Sequence, residues 1–425
     1  ASQAELEAAR AGARVALGAS MPALGVEASA ARSNNPLNVF SYRLAQGQAT
    51  FADFGLEEYA GAGSLNTAPQ ALDAPGYANN YATGVVLRVP LYAGGRNTAR
   101  LRAARALAEA ARAGDAAARA RLTLDVLQAY AGVQAAGALV TAAEQALTAS
   151  ASNLEAAERR LRQGLVIESD VLLAKAHRES ARAALAAAQS GEIDQVESFR
   201  TLIGAPDSTL VPGAPVMVSL PQGTLTELQE RALRSNPQLQ SLAARAAASD
   251  DAQGAAAAAN WPRVDLTLRH DWNADGLALR APSNTFMATF SWELFSSGAQ
   301  SAEVRRAAAE AAAARENYRG SVADTRLAVG RSFRAAQTAA LIAEASRTAA
   351  AQASEAARLL SLRYAQGLAT LAQLQESEAQ RDRERARSIE SAYQALLARA
   401  ELRLLVDDLD PATLGGTPPA KPAGN

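Results

Sequence analysis

The chain has 425 residues, a formal net charge of -1, 49% hydrophobic and 5% aromatic residues, and no cysteine. Neither sign of charge forms a block, which removes the electrostatic footprint of a nucleic-acid binder or of a protein held on an anionic membrane surface. The missing cysteine excludes disulfides, thiolate metal sites and cysteine nucleophiles. Abundant alanine, interspersed charges and few aromatics describe long packed helices rather than a compact α/β fold.

No stretch approaches the ~18 apolar residues of a membrane-spanning helix, so the sequence predicts either a soluble protein or one that crosses a bilayer as strands. A removed export signal or a lipid-anchored cysteine ahead of Ala1 stays open.

In chain order, an Ala-rich helix is expected over Ser2 to Ser20, ending at Met21-Pro22. Leu24, Val26, Ala28 and Ala30 then alternate with Gly25, Glu27 and Ser29 as a first strand. A long external loop follows, marked by Asn34-Asn35-Pro36, Gly61, Pro69, Pro75-Gly76 and Asn79-Asn80. The second strand runs from Tyr81 to Leu91, with Val85, Leu87 and Val89 on its apolar face.

No proline occurs from Leu91 through Ala205 or from Ser283 through Asp410. Proline costs roughly 3 kcal/mol inside a helix, so both spans are expected to be helical. The first holds an arm from Arg96 to Gln163, about 100 Å long at 1.5 Å per residue, and a return from Asp170 to Ile203. Between them lies the turn Gln163-Gly164-Leu165-Val166, where Gly164 fits a left-handed helix cap.

A connector with four prolines occupies Gly204 to Gly223. Thr224 and Glu227 have capping-box spacing and open a short helix ending near Asn236-Pro237; a second Ala-rich helix, Gln238 to Ala259, leads to Trp261-Pro262. Val264, Leu266, Leu268, His270 and Trp272 alternate strictly with Arg263, Asp265, Thr267, Arg269 and Asp271. The partner strand carries Phe286, Ala288, Phe290, Trp292 and Leu294 on one face. A second arm, Ala299 to Gln366, a turn at Gln366-Gly367-Leu368-Ala369 and a return from Gln373 to Leu409 complete the pattern. The run from Gly415 to Asn425 is expected to be disordered.

The second half repeats the first at an offset of 203 residues. Leu91-Tyr92-Ala93-Gly94-Gly95 recurs as Leu294-Phe295-Ser296-Ser297-Gly298, Arg160-Leu161-Arg162-Gln163-Gly164-Leu165 as Arg363-Tyr364-Ala365-Gln366-Gly367-Leu368, and Leu202-Ile203 as Leu405-Val406. The Gly and aromatic anchors carry the repeat. Residues 1–205 are thus a first repeat, 206–223 a connector, 224–410 a second repeat and 411–425 a tail.

The four strands are long enough to cross an outer membrane at a tilt. Taken one by one they fit a half-buried soluble sheet better than a membrane strand; the aromatic apolar faces, the charged opposite faces and the attached long helices shift the balance to lipid. Four strands cannot close a barrel, and open edges are not tolerated in lipid, so several protomers must share one barrel. Three copies supply twelve strands.

This pattern resembles the TolC-type outer-membrane efflux proteins. The matching features are Val89-Pro90-Leu91-Tyr92-Ala93-Gly94-Gly95-Arg96 and its repeat Trp292-Glu293-Leu294-Phe295-Ser296-Ser297-Gly298, the paired Gln-Gly-Leu turns, and Asn236-Pro237-Gln238-Leu239. The resemblance implies a mainly α fold with a transmembrane β-barrel: a homotrimer whose twelve-stranded barrel sits in outer-membrane lipid and continues as a helical tunnel in the periplasm. It implies docking to a periplasmic adaptor (membrane fusion) protein and an inner-membrane transporter or secretion ATPase. No catalysed reaction, cofactor, metal or nucleic-acid partner is implied.

The resemblance also implies roles. Gln163, Gly164, Leu165, Val166, Gln366, Gly367, Leu368 and Ala369 would meet the adaptor. Asp170, Tyr364, Gln373 and Glu376 would form the periplasmic gate, with a hydrogen bond from Tyr364 to Asp170 between hairpins. Taken on its own residues, Asp170 equally fits a helix N-cap before Val171-Leu172 and Glu376 a solvated helix position. Val85, Leu87, Val89, Val264, Leu266, Leu268, Trp272, Phe286, Phe290 and Trp292 would face lipid. The rival reading is a soluble coiled-coil scaffold or adhesin stalk without transport activity. His177 and His270 are isolated from each other and from any nucleophile, so no catalytic pair or metal cluster emerges.

Overall fold

The computed structural model describes residues 2–410; the expected tail at 411–425 lies outside the described residues. In chain order the elements are α1 (Ser2–Gly18), β1 (Ala23–Ser33), α2 (Pro36–Ala45), α3 (Gln70–Asp73), β2 (Ala78–Tyr92), α4 (Arg96–Arg162), α5 (Glu168–Leu202), α6 (Leu225–Ser235), α7 (Pro237–Ala257), β3 (Arg263–Ala274), β4 (Pro282–Ser291), α8 (Ala299–Ala365) and α9 (Leu371–Leu405). The duplication is visible in their lengths. Helices α4 and α8 have 67 residues each and α5 and α9 have 35 each, and each pair starts 203 residues apart, from 96 to 299 and from 168 to 371.

The described residues form two compact units, one of 3–111 with 243–316 and the other of 112–242 with 317 onward, so each unit takes part of both repeats. The first unit holds one antiparallel sheet in the order β1-β2-β3-β4. Leu24 pairs with Leu87, Leu87 with Leu268 and Leu268 with Phe286. A register shift between Pro90 and Tyr92 accompanies the proline, which has no N–H for the ladder. Below the sheet, Asn97 Nδ2 donates to the Ala19 carbonyl at 3.0 Å and Gln300 Nε2 to that of Ala259 at 2.7 Å. Arg102 pairs with Asp251 and Arg315 with Asp250. These bonds tie the starts of α4 and α8 to the ends of α1 and α7.

Strand β4 ends at Ser291, three residues before the expected Leu294. Ser291 pairs with Arg263, the first residue of β3, and the preceding Pro262 cannot donate to extend the ladder. The expected external loop also differs: it contains α2, three 3₁₀ turns and α3. Local capping accounts for this. Asn35 Oδ1 accepts from the backbone N–H of Leu37 and Asn38 at 3.1 and 3.3 Å, with Pro36 at the first helical position, and Thr50 and Asp53 form a capping box.

In the second unit the connector is a strap rather than a free loop. Tyr130 Oη donates to the Ala214 carbonyl at 2.9 Å and Arg403 Nε to that of Ser219 at 2.8 Å, while Val218 is buried with Leu124, Leu127 and Ala400. Helix α6 starts at the predicted Thr224–Glu227 capping box, in which the Thr224 backbone N–H, and after it the Thr224 side chain, hold the Glu227 carboxyl below its usual range. It packs Leu228 and Ala232 against Val329, Ala336, Leu402 and Val406. Helix α9 stops at Leu405 rather than Leu409 because Asp407 turns left-handed at φ 54°, its N–H bonding the Leu404 carbonyl and that of Asp408 the Arg403 carbonyl. One helix, α4, contains an 18-residue stretch apolar enough by composition to cross a membrane, which corrects the expectation that none exists. Its small side chains, Ala131 and Ala157 among those buried, suit close helix packing as well as lipid.

The strand-to-helix junctions share a backbone conformation but not its fit. Gly94 and Gly95 have φ of 61° and 83°, and Ser297 and Gly298 have 50° and 82°. A Cβ at Gly94 would stand 2.6 Å from Trp261 Cβ and 2.7 Å from the Ala258 oxygen. Gly94→Ala is therefore expected to lower the thermal unfolding midpoint of the detergent-purified protein. Ser297→Gly should raise it slightly, since removing about 1–2 kcal/mol of left-handed strain outweighs about 0.4–1 kcal/mol of added unfolded-chain freedom. Shifts of the same sign at both positions would refute the equivalence.

Candidate functional site

Two places combine exposure with built geometry: the faces of the sheet, and the paired helical turns. Because strand side chains alternate, the register assigns every side chain to a face. Val85, Leu87 and Val89 of β2 lie beside His270, Leu268 and Leu266 of β3; Leu268 and Val264 lie beside Phe286 and Phe290 of β4, and Trp272 beside Thr83. The structure thus brings nine of the ten expected lipid-facing residues to one face. Its outer positions have no protein cover: Phe286 is 77% exposed and Val26 73%. Isolated exposed apolar residues are ordinary, but a continuous face of them marks an interface or a membrane surface.

Trp292 is the exception. It lies one residue beyond β4 and its indole N–H donates to the Asn260 carbonyl at 3.0 Å. An aromatic body with a satisfied polar edge suits a membrane–water boundary.

The opposite face is ionic. Arg88 Nη2 reaches Glu27 Oε1 at 2.8 Å, Arg269 Nη1 reaches Glu27 Oε2 at 2.9 Å, and Arg269 Nε reaches Asp271 at 2.7 Å. These four side chains cross three strands. Gly84 makes room for them, since a Cβ there would sit 2.2 Å from Asp271 Oδ1. Alternation identified the charged positions, but their connection into a network was not legible, because Glu27 and Arg269 are 242 residues apart in sequence.

At the tips, Gly164 and Gly367 have φ of 70° and 79°. In each, the glycine N–H bonds back to Leu161 or Tyr364 and the following leucine N–H to Arg160 or Arg363, which is the double bond of a Schellman cap. The caps leave Gln163, Leu165, Gln366 and Leu368 exposed; Val166 and Ala369 are half-buried. Leu165 and Leu368 are 68% and 65% exposed.

Tyr364 is buried with Leu154, Ala157, Val171, Ala174, Leu371 and Leu374. Its hydroxyl has no hydrogen-bond partner, so the expected bond to Asp170 is not formed within the chain. The Arg160 guanidinium instead covers the ring at 4.3 Å and donates to the Tyr364 and Ala365 carbonyls at 2.9 and 3.0 Å. Arg160 of the first repeat thereby caps the helix end of the second. Sequence reasoning missed this role, although Arg160 stands in the repeated anchor.

The other gate candidates are dispersed. Asp170 is not the N-cap of α5, a position held by Ile167 without a side-chain bond, but the third residue of its first turn. The Gln373 amide is engaged in a capping box with Thr370, and the exposed Glu376 pairs with Arg383 at 3.0 Å. A further acid went unnoticed: Glu378 is only 5% exposed and accepts from Asn153 Nδ2 at 2.7 Å, joining α9 to α4.

Comparison with known proteins accords with this two-part geometry. The chain is 33% identical over 199 residues to Protein CyaE of Bordetella pertussis, a match that spans 46% of this chain and 42% of that relative. Among solved structures it is similar to a membrane protein from Pseudomonas aeruginosa (TM-score 0.79, 21% identity, 95% of this chain and 89% of the other) and to the outer membrane protein VceC of Vibrio cholerae (0.77, 22%, 95% and 91%). It is also similar to the open state of the MtrE outer membrane channel of Neisseria gonorrhoeae (0.78, 19%, 97% and 86%). These likenesses establish the fold. Residues 1–205 and 228–406, most of the chain, match the outer membrane efflux protein family, and the chain belongs to that family.

Proposed function

We propose that the chain is one third of a passive outer-membrane exit duct, through which an inner-membrane transporter and a periplasmic adaptor pass substrates to the exterior. The observation that carries this reading is the four-stranded sheet with one uncovered apolar face, one ionic face and two unpaired edges, β1 and β4. In lipid those edges must pair, and a second copy of the chain offers the matching edge. The ionic face then lines the lumen. A soluble scaffold or stalk would leave the Phe286 and Phe290 face in water.

The internal repeat sets the register of that joint. Moving by 240 residues from β1 to β3 and by 203 from β2 to β4 converts the pair Leu24–Leu87 into Val264–Phe290, which is an observed pair. The same offsets applied to Leu87–Leu268 set Phe290 opposite Ala28 of the next protomer, and hence Ala288 opposite Ala30. Phe290 of β4 then meets the small Ala28 of β1, a complementary packing. In this cysteine-free chain, Ala30→Cys combined with Ala288→Cys is expected to give oxidant-dependent covalent trimers on denaturing gels, and Ala31→Cys with Ala288→Cys, on opposite faces, to give none. Monomers from the first pair would sink the shared barrel.

We assign the periplasmic mouth to the two turns, held closed in each protomer by Arg160 across Tyr364. Hydrogen bonds to a charged donor and a cation–π contact at a partly exposed site contribute roughly 1–3 kcal/mol together. Arg160→Ala is expected to raise single-channel conductance in planar bilayers. Tyr364→Phe removes only an unbonded hydroxyl and should leave it unchanged; an increase would instead make Asp170 of a neighbouring hairpin the partner.

Adaptor docking is assigned to the exposed leucines of the turns. Leu165→Asp with Leu368→Asp should abolish copurification of the adaptor while trimers persist. Undiminished adaptor recovery would remove the tips from that role.

A further inference from the structure

The segment between β1 and β2 is built, not slack, and it is fastened to the ionic side of the sheet. Gln46, at the C-cap of α2 and only 8% exposed, donates through Nε2 to the Asn79 carbonyl at 2.8 Å and to Asn80 Oδ1 at 3.0 Å. Asn80 Nδ2 donates to Asn273 Oδ1 at 3.1 Å. By alternation Asn80 and Asn273 share the face of Gly84, Arg88, Arg269 and Asp271. The segment therefore leans over the ionic face at the end of the sheet opposite the long helices.

Its shape is held from within. Val39 is 1% exposed, Phe40 and Phe54 meet edge to face at 4.8 Å, Arg43 pairs with the buried Asp53, and Glu58 accepts from the Gln70 and Ala71 N–H groups at 2.7 and 3.0 Å. Yet this small core leaves Leu37, Phe51, Leu56 and Leu65 between 58% and 78% exposed. A folded segment that buries part of its apolar surface and presents the rest is shaped for a partner.

We infer that the partner is the same segment of the neighbouring copies, and that the three segments meet over the barrel lumen as an external lid. The inference rests on the trimeric duct proposed above. A segment attached to the lumen-facing side of each protomer must converge with its counterparts as the sheet closes. The β4-to-β1 joint also brings the β3–β4 turn of one copy, with Leu277 and Leu279 exposed at 94% and 65%, beside the root of this segment in the next. Apolar contact between copies would close the outer mouth without covalent or metal links, and outward flow of substrate would part it.

Thr285, opposite Arg269 on the ionic face, can carry a single thiol through Thr285→Cys. In intact cells, a polymer-tailed maleimide that cannot cross the outer membrane is expected to leave this thiol unmodified when the segment is native. It should modify the thiol when Phe51→Ser, Leu56→Ser and Leu65→Ser are combined, substitutions that spare the caps and the small core. Total thiol is counted with a small maleimide after denaturation. Modification in both backgrounds, as expected if the segment lay on lipid or on an external protein, or in neither, overturns the lid. The Ala30–Ala288 cysteine joint, measured in parallel strains that lack Thr285→Cys, reports assembly separately: its absence would condemn the trimer, and its presence in the serine background shows that the barrel has formed.

Discussion

A sheet edge in hydrocarbon has no water to satisfy its N–H and C=O groups, and each unpaired group there costs several kcal/mol. That constraint governs this chain. Its sheet is complete between β1 and β4 but has two open edges, and the outer positions of its apolar face, Val26 and Phe286 among them, are exposed. Placed in a membrane, the fold is an incomplete object whose completion is another copy of itself. Internal duplication makes this simple, because the proposed edge pair β4–β1 is the repeat's equivalent of the internal pair β2–β3.

The two faces then divide the work. On one, rows such as Leu24–Leu87–Leu268–Phe286 would, in the proposed barrel, replace water with lipid at no polar cost. On the other, Glu27, Arg88, Arg269 and Asp271 neutralise one another in pairs, which presents a polar wall of no net charge. Such a wall favours neither sign of solute, as the proposed passive duct requires.

Duplication preserved backbone and released side chains. Both turns keep the same left-handed cap, and both junctions keep the same pair of positive φ angles. By contrast, Gly204 and Asp407 occupy equivalent left-handed helix ends with different residues, and Arg160 has found its partner in the other repeat. Backbone caps are satisfied within a few residues, so each copy keeps them independently. Side-chain contacts join distant segments and diverge once the two copies occupy different surroundings.

Much was therefore written locally. The 203-residue offset, the proline-free arms, the Thr224–Glu227 cap, the glycine turns and the alternation that sorts Val85, Leu87, Val89 and Phe290 onto one face all depend on periodicity or on neighbours within four residues, and sequence determines these directly. Tertiary structure decided the remainder: that Tyr364 lies under Arg160 of the other repeat, that Gly84 is small because Asp271 needs its space, that β4 stops before Trp292, and that the segment after β1 folds onto the ionic face. Each of these depends on which atoms from distant parts of the chain compete for the same few cubic ångströms, and no local pattern encodes the outcome of that competition.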